Sequence, residues 1–209
     1  MSLYRVGRDL LVSICQVMFR VRVVGRERVP RRGAYIVAPS HRSILDIPFS
    51  AFITRRRIRF VAKKELFASR FGGWLFDALG AIRVERGAPD RAALRASQRA
   101  LESGEPVAIF PEGTRGHGPE IGSLFDGAAF LANRLGIPIV PVGVGGSEEI
   151  LPSGRSRPRL HRVAVVVGRP IVPPEHDGRA RRSDVAAVTA ALHAELQRCF
   201  DEARRLAGQ

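Results

Sequence analysis

His41 stands at a spacing that suits acid–base chemistry. In the run Ser40-His41-Arg42-Ser43-Ile44-Leu45-Asp46 it precedes Asp46 by five residues. A carboxylate that accepts from one imidazole nitrogen fixes the tautomer and stabilises the imidazolium. The other ring nitrogen then takes a proton from a hydroxyl. Along one continuous helix two residues five apart diverge in direction. The pair therefore requires His41 in a loop and Asp46 near the start of the helix that follows. Pro39 and Pro48 suit such a break. A surface histidine and a helix-start aspartate would read the same way, so the spacing gains weight only from its surroundings. A second place is Phe110-Pro111-Glu112-Gly113-Thr114-Arg115. A Pro–Gly turn exposes backbone N–H groups, and Thr114 and Arg115 add donors, which suits an anion or a developing oxyanion. Cations stand at two more points, the pair Lys63-Lys64 and Arg86 after Glu85.

These four places share a position relative to the elements around them. Short apolar runs at Ala34–Ala38, Ile58–Ala62, Ala81–Val84, Val107–Phe110, Ile137–Val142 and Val163–Val167 read as buried strands. Helical patterns lie between them. Asp90–Ser103 ends at Gly104 and Phe125–Leu135 at Gly136, both natural C-caps. The last helix opens at Ser183 and sets Val185, Val188, Leu192, Leu196, Cys199 and Ala203 on one stripe. This alternation predicts a single α/β domain with a mainly parallel central sheet flanked by helices. Ligands of such sheets sit beyond the carboxyl ends of the strands. The His/Asp pair, the Lys pair, Arg86 and the Glu112–Arg115 turn each follow a strand. Together they describe a base beside a phosphate-sized cationic pocket.

Composition narrows the class. The chain has 209 residues, 45% of them apolar and 26% charged, which suits one globular domain with a full core. Cys15 and Cys199 have neither metal-ligand spacing nor a disulfide framework, and no metal is expected. The net charge is +14 and favours an anionic partner. Of 34 cationic side chains only Lys63 and Lys64 are lysines. An arginine-rich nucleic-acid-binding protein would want stacking aromatics, and one Trp and two Tyr do not supply them, so no nucleic-acid partner is expected. The longest stretch without Asp, Glu, Lys or Arg is the thirteen residues Leu135–Ser147, too short and too broken by proline and glycine to span a bilayer. Residues 1–32 hold eight arginines against Asp9 and Glu27, around an uncharged run Leu10–Phe19. This reads as a basic amphipathic helix lying on an anionic membrane surface, over residues 1–24, ahead of a catalytic domain over 25–209. A plain core-packing helix is the competing reading.

Four blocks, in order, resemble the glycerolipid acyltransferases of the PlsC type. Ser40–Asp46 resembles the family's N-H-x4-D, with Ser in place of Asn. Gly80–Arg86 resembles its G-x-x-F-I-x-R, with Arg83 in place of Phe and the cation kept at Arg86. Phe110–Arg115 carries F-P-E-G-T-R in full, and Ile137–Val142 resembles its proline-framed apolar block. The resemblance runs over roughly residues 20–170. Another departure is Ser123–Gly127, where Asp126 stands in a segment that commonly holds a lysine.

The resemblance implies an acyltransferase of phospholipid biosynthesis. His41 would act as general base on the free hydroxyl of 1-acylglycerol 3-phosphate, oriented by Asp46. The acyl donor would be a thioester on CoA or acyl carrier protein, and no cofactor beyond that co-substrate is implied. Lys63, Arg86 and Arg115 would hold the acceptor's phosphate. Backbone donors around Gly113, with Thr114 or Arg115, would stabilise the oxyanion, and Glu112 would order the loop or bond an acceptor hydroxyl. The protein would sit peripherally on the cytoplasmic face of the cell membrane. Glycerol 3-phosphate or another lysophospholipid is the alternative acceptor, and a thioester or lysolipid hydrolase the alternative reaction. The apolar, cationic run Leu66–Leu79 is either a lipid-facing helix or a core helix, and Arg55, Arg56, Arg57 and Arg59 either face headgroups or form a solvated turn.

Overall fold

The computed structural model describes residues 3–63, 67–70, 73–74, 80–84, 90–150, 159–175 and 181–209. Among the described residues seven strands form one sheet in the order β1-β7-β6-β2-β5-β3-β4. They are β1 (Arg22–Val24), β2 (Ile36–Pro39), β3 (Arg59–Lys63), β4 (Ala81–Val84), β5 (Val107–Ala108), β6 (Ile139–Gly145) and β7 (Ala164–Val167). Every neighbouring pair is parallel except β6 with β7. Among the described residues the α-helices are α1 (Leu3–Phe19), α2 (Asp46–Ser50), α3 (Asp90–Glu102), α4 (Gly127–Leu135), α5 (Ser147–Ile150) and α6 (Arg182–Ala207). The expected α/β class and mainly parallel sheet are what the chain adopts.

The two sheet faces follow from the period of two along each strand. On β2, Val37 faces a core shared with Cys15 and Phe19 of α1 and with Phe49, Phe52 and Ile53. Its neighbours Ile36 and Ala38 face a second core with Ala100 and Leu101 of α3, Leu131 and Ala132 of α4, and Val188 and Leu192 of α6. On β7, Val165 and Val167 join the first core, while Ala164 and Val166 meet Cys199 and Ala203 of α6. The result is a sheet with helices on both faces. The ring of Phe19 meets that of Phe49 edge-on, centroids 5.8 Å apart, which docks α1 onto the α2 segment. Helix α6 lies against β6 at backbone distance. A Cβ on Gly143 would sit 2.3 Å from the Cys199 carbonyl, and one on Gly145 would sit 2.4 Å from Ala203. Glycine at these positions is thus a packing requirement.

Several elements differ from the sequence expectation. Strand β6 runs past Val142 to Gly145, because Val144 and Gly143 pair with Val165 and Val166 of β7. The fourth helix starts at Gly127, two residues late, since Phe125 donates its N–H to the Pro111 carbonyl and belongs to the preceding loop (2.9 Å). Strand β1 was not expected at all. Arg56 lies in a bend, partly exposed. It donates to the Gly33 and Gly104 carbonyls at 2.6 and 2.8 Å and lies over the Tyr35 ring. Much of the run 66–79 lies outside the described residues, Trp74 within it being exposed.

Five parallel strands, β6, β2, β5, β3 and β4, end on one rim. The loops leaving that rim carry the chemistry.

Candidate active site

The loop after β2 is held before it turns. Ser40 donates its N–H to the Val142 carbonyl at 2.9 Å, and its hydroxyl oxygen accepts from Val144 N–H at 3.0 Å. Serine thus anchors the loop to β6 where the family's usual asparagine would stand. Residues 41–45 then form a bend, and Asp46 opens α2. Its carboxylate is fully buried and reaches back into the bend. Oδ2 accepts from the N–H groups of Arg42 and Ser43 at 2.6 and 2.7 Å and lies 3.3 Å from His41 Nδ1. The break that the spacing requires, histidine in the loop and aspartate at the helix start, is the geometry found. The His41 ring leans on Phe110, centroids 4.3 Å apart, and its side chain is 18% exposed. With Nδ1 donating to Asp46, Nε2 carries the lone pair.

A second buried group joins this loop to the one after β5. Arg42 and Glu112 pair at 2.8 Å with side chains 1% and 4% exposed. Glu112 Oε1 also accepts the backbone N–H of His41 at 2.9 Å, and Oε2 accepts that of Gly122 at 3.3 Å. The guanidinium donates further to the carbonyls of His41, Gly118 and Glu120, and sits 4.6 Å above the Phe200 ring of α6. Gly116 N–H closes onto the His41 carbonyl at 2.8 Å. The backbone of His41 is therefore clamped by the Glu112 loop from two sides. Of the two roles expected for Glu112, ordering the loop fits these contacts. Both of its oxygens are occupied within the protein.

The turn itself departs from expectation at one atom. Gly113 N–H donates to the Phe110 carbonyl at 3.1 Å, so it closes the turn and does not face the rim as an oxyanion donor. Gly113 has φ +68, and the Phe125 ring fills the place of its missing side chain, 2.7 Å from where a Cβ would be. Thr114 and Arg115 follow and are exposed. Lys63 closes β3 at the same rim, in register with Val84 of β4. Arg86 lies outside the described residues. Asp126, the acidic departure, accepts from the Thr189 hydroxyl of α6 at 2.7 Å.

Two residues at the site were missed by sequence reasoning. Arg42 occupies a variable position of the H-x4-D spacing, and nothing in its neighbours marks it as buried. Ser147 follows the end of β6 and donates its hydroxyl to Asp46 Oδ1 at 2.5 Å. The strand-end rule, applied to β6, would have pointed to it.

Among the described residues no helix is long and apolar enough to cross a membrane. Residues 20–145 match the model of the family described as Acyltransferase. A 1-acyl-sn-glycerol-3-phosphate acyltransferase of Bacillus subtilis (strain 168) is 26% identical over 196 residues, covering 93% of this chain and 96% of the relative. One of Chlamydomonas reinhardtii is 30% identical over 183 residues, covering 85% of this chain and 54% of the relative. A chloroplastic one of Arabidopsis thaliana is 29% identical over 157 residues, covering 73% of this chain and 44% of the relative. The chain thus spans about half the length of these last two. The crystal structure of the 1-acyl-sn-glycerophosphate (LPA) acyltransferase PlsC from Thermotoga maritima superposes with a TM-score of 0.74 at 23% identity, over 97% of this chain and 83% of that one, which is a likeness of fold.

Proposed function

This chain belongs to the acyltransferase family, and from that premise we propose that it transfers a fatty acyl group from an acyl thioester to the free hydroxyl of 1-acylglycerol 3-phosphate, giving phosphatidic acid. The observation that carries the reading is His41, with Nδ1 3.3 Å from a fully buried Asp46 on a loop clamped to the Phe110–Arg115 turn. The names of the relatives supply the acceptor. His41 Nε2 takes the hydroxyl proton as the oxygen attacks the thioester carbonyl. Asp46 stabilises the imidazolium that results. The tetrahedral intermediate collapses, the C–S bond breaks, and the thiolate leaves with the proton from His41. The donor is acyl-CoA or acyl carrier protein, and the thioester supplies the driving force. Thr114 and Arg115 supply donors to the oxyanion. Lys63, Arg86 and Arg115 hold the acceptor's phosphate. Position and charge stabilisation are the protein's contribution.

We propose further that the chain attaches peripherally to an anionic membrane surface, at the cytoplasmic face. Helix α1 buries Cys15 and Phe19 yet leaves Leu10, Ile14, Val17 and Met18 exposed, so it is both core-packed and apolar outside. Val17 and Met18 share a recess of about 480 Å³ with Leu160, Arg20 and Arg162. Since Ala164 of β7 pairs with Gly145 at the end of β6, and Phe19 accepts from Val163, this recess lies toward the same rim as His41. Apolar side chains with arginines beside them suit insertion among anionic headgroups.

The test is acyl transfer by purified protein with phosphatidylglycerol-containing vesicles. Long-chain acyl-CoA and acyl carrier protein thioesters are offered with 1-acylglycerol 3-phosphate, glycerol 3-phosphate and a zwitterionic lysophospholipid in parallel. The expected result is turnover of 1-acylglycerol 3-phosphate above the other two. Preferred turnover of either other acceptor would replace the substrate and keep the chemistry. Release of fatty acid without any acceptor would mean a hydrolase.

A further inference from the structure

The Asp46 carboxylate is held by two different strand ends, and only one of them belongs to the H-x4-D run. Its Oδ2 serves the bend through Arg42 N–H, Ser43 N–H and His41. Its Oδ1 is taken by the hydroxyl of Ser147, 101 residues further along the chain. Ser147 is 1% exposed and opens α5 directly after β6. The turn that delivers it leaves little play. Gly146 has φ +83, a Cβ there would sit 2.1 Å from the Arg162 carbonyl, and its N–H donates to the Gln209 side chain at 2.8 Å.

We infer that Ser147 is a positioning residue for the dyad, acting through Asp46 without touching substrate; the inference rests on the base role given above to His41. The physical reason is torsional. Rotation of a carboxylate about its last bond is soft, with broad wells. Two N–H donors on Oδ2 fix where that oxygen sits. Rotation about that bond moves both oxygens together, so a donor on Oδ1 resists it as well, and His41 lies at 3.3 Å, the longest of the contacts on Asp46. A hydroxyl at 2.5 Å on the other oxygen is, among the described residues, the one side-chain donor from outside the bend that stiffens this rotation. It also keeps a buried carboxylate oxygen from being left without a donor. Remove it, and Asp46 can turn away from Nδ1, so that the imidazole loses its preferred tautomer and direction for part of the time.

The experiment compares parent, Ser147→Ala, Ser147→Thr and His41→Ala in steady-state acyl transfer, together with thermal melts and the low-field proton NMR region. Ser147→Ala is expected to lower kcat about tenfold to a hundredfold, the scale of one hydrogen bond to a charged group, with KM for acceptor and donor unchanged. The low-field resonance of His41 Nδ1–H should broaden or vanish in Ser147→Ala. Ser147→Thr, which keeps the hydroxyl, should restore both. A Ser147→Ala enzyme within twofold of parent, beside an inactive His41→Ala, would overturn the inference and leave the dyad standing. A loss matched by a collapse of the melting temperature, with the NMR resonance intact in the folded fraction, would make Ser147 structural only and also overturn it. An active His41→Ala would remove the dyad and this inference with it.

Discussion

Glu112→Ala gives the sharpest energetic consequence of the site's construction. The substitution deletes both acceptor oxygens that face Arg42 at 2.8 and 3.1 Å, the acceptor for His41 N–H at 2.9 Å and that for Gly122 N–H at 3.3 Å. The Arg42 side chain is 1% exposed, so its charge is cut off from bulk water. A buried charge left without its partner costs about 3–5 kcal/mol. Domains of this size have a total stability of roughly 5–15 kcal/mol and lose about 2–4 °C of Tm per kcal/mol. The expected drop in Tm is therefore on the order of 10 °C, read by circular dichroism and checked by urea unfolding. Replacing the whole pair, Arg42→Met with Glu112→Leu, should restore part of the loss, because two apolar side chains leave no orphaned charge. A Glu112→Ala protein that melts within about 2 °C of parent, less than 1 kcal/mol, would show that the buried Arg42 charge does not depend on Glu112. So would a double variant less stable than the single one.

Other consequences follow from the same geometry. Burial pushes the Cys199 thiol up to about 12, so it should resist alkylation in the native protein at pH 8 and react on unfolding, which a timed thiol titration would settle. The Arg198 guanidinium bonded to Glu195 holds that carboxyl below its ordinary value. A depressed carboxyl stabilises the fold above its unfolded pKa and stops doing so as pH falls through the folded one. The stability gap between parent and Glu195→Gln should thus be full near neutrality and shrink below about pH 4.5, as urea unfolding at several pH values would record. Val17→Asp with Leu160→Asp should weaken cosedimentation with phosphatidylglycerol-containing vesicles about tenfold or more without moving the melting temperature, because both side chains are already exposed. Unchanged binding would move the membrane contact elsewhere.

The legible parts of this molecule are those where local chemistry and tertiary placement coincide. Ile36–Pro39 and Ala164–Val167 are apolar because they are buried on both faces, and a run of that kind reads as a strand without knowledge of its partners. His41 and Asp46 are legible because the loop between them is short and the histidine can meet the aspartate only by a bend. The illegible parts depend on distant chain. Arg22–Val24 has an arginine within three residues and becomes a strand through pairing with β7, far along the chain. Ser147 is an ordinary serine until β6 carries it to Asp46. Arg42 reads as one more solvated arginine in a chain full of them, and becomes a buried one only because Glu112 and Phe200 close over it. Gly113 looked like a donor, and the turn it makes uses the very N–H the donor role needs.

In the proposed reaction His41, oriented by Asp46, removes the proton from the acceptor hydroxyl. Acyl-transfer rates of parent, His41→Ala and Asp46→Asn, each first shown to melt as a folded protein, test it most directly. The expected loss in rate is about 10²–10⁴ for His41→Ala, the span of general-base catalysis, and up to about 10⁴ for Asp46→Asn. A folded His41→Ala protein that turns over 1-acylglycerol 3-phosphate at the parent's rate would contradict it.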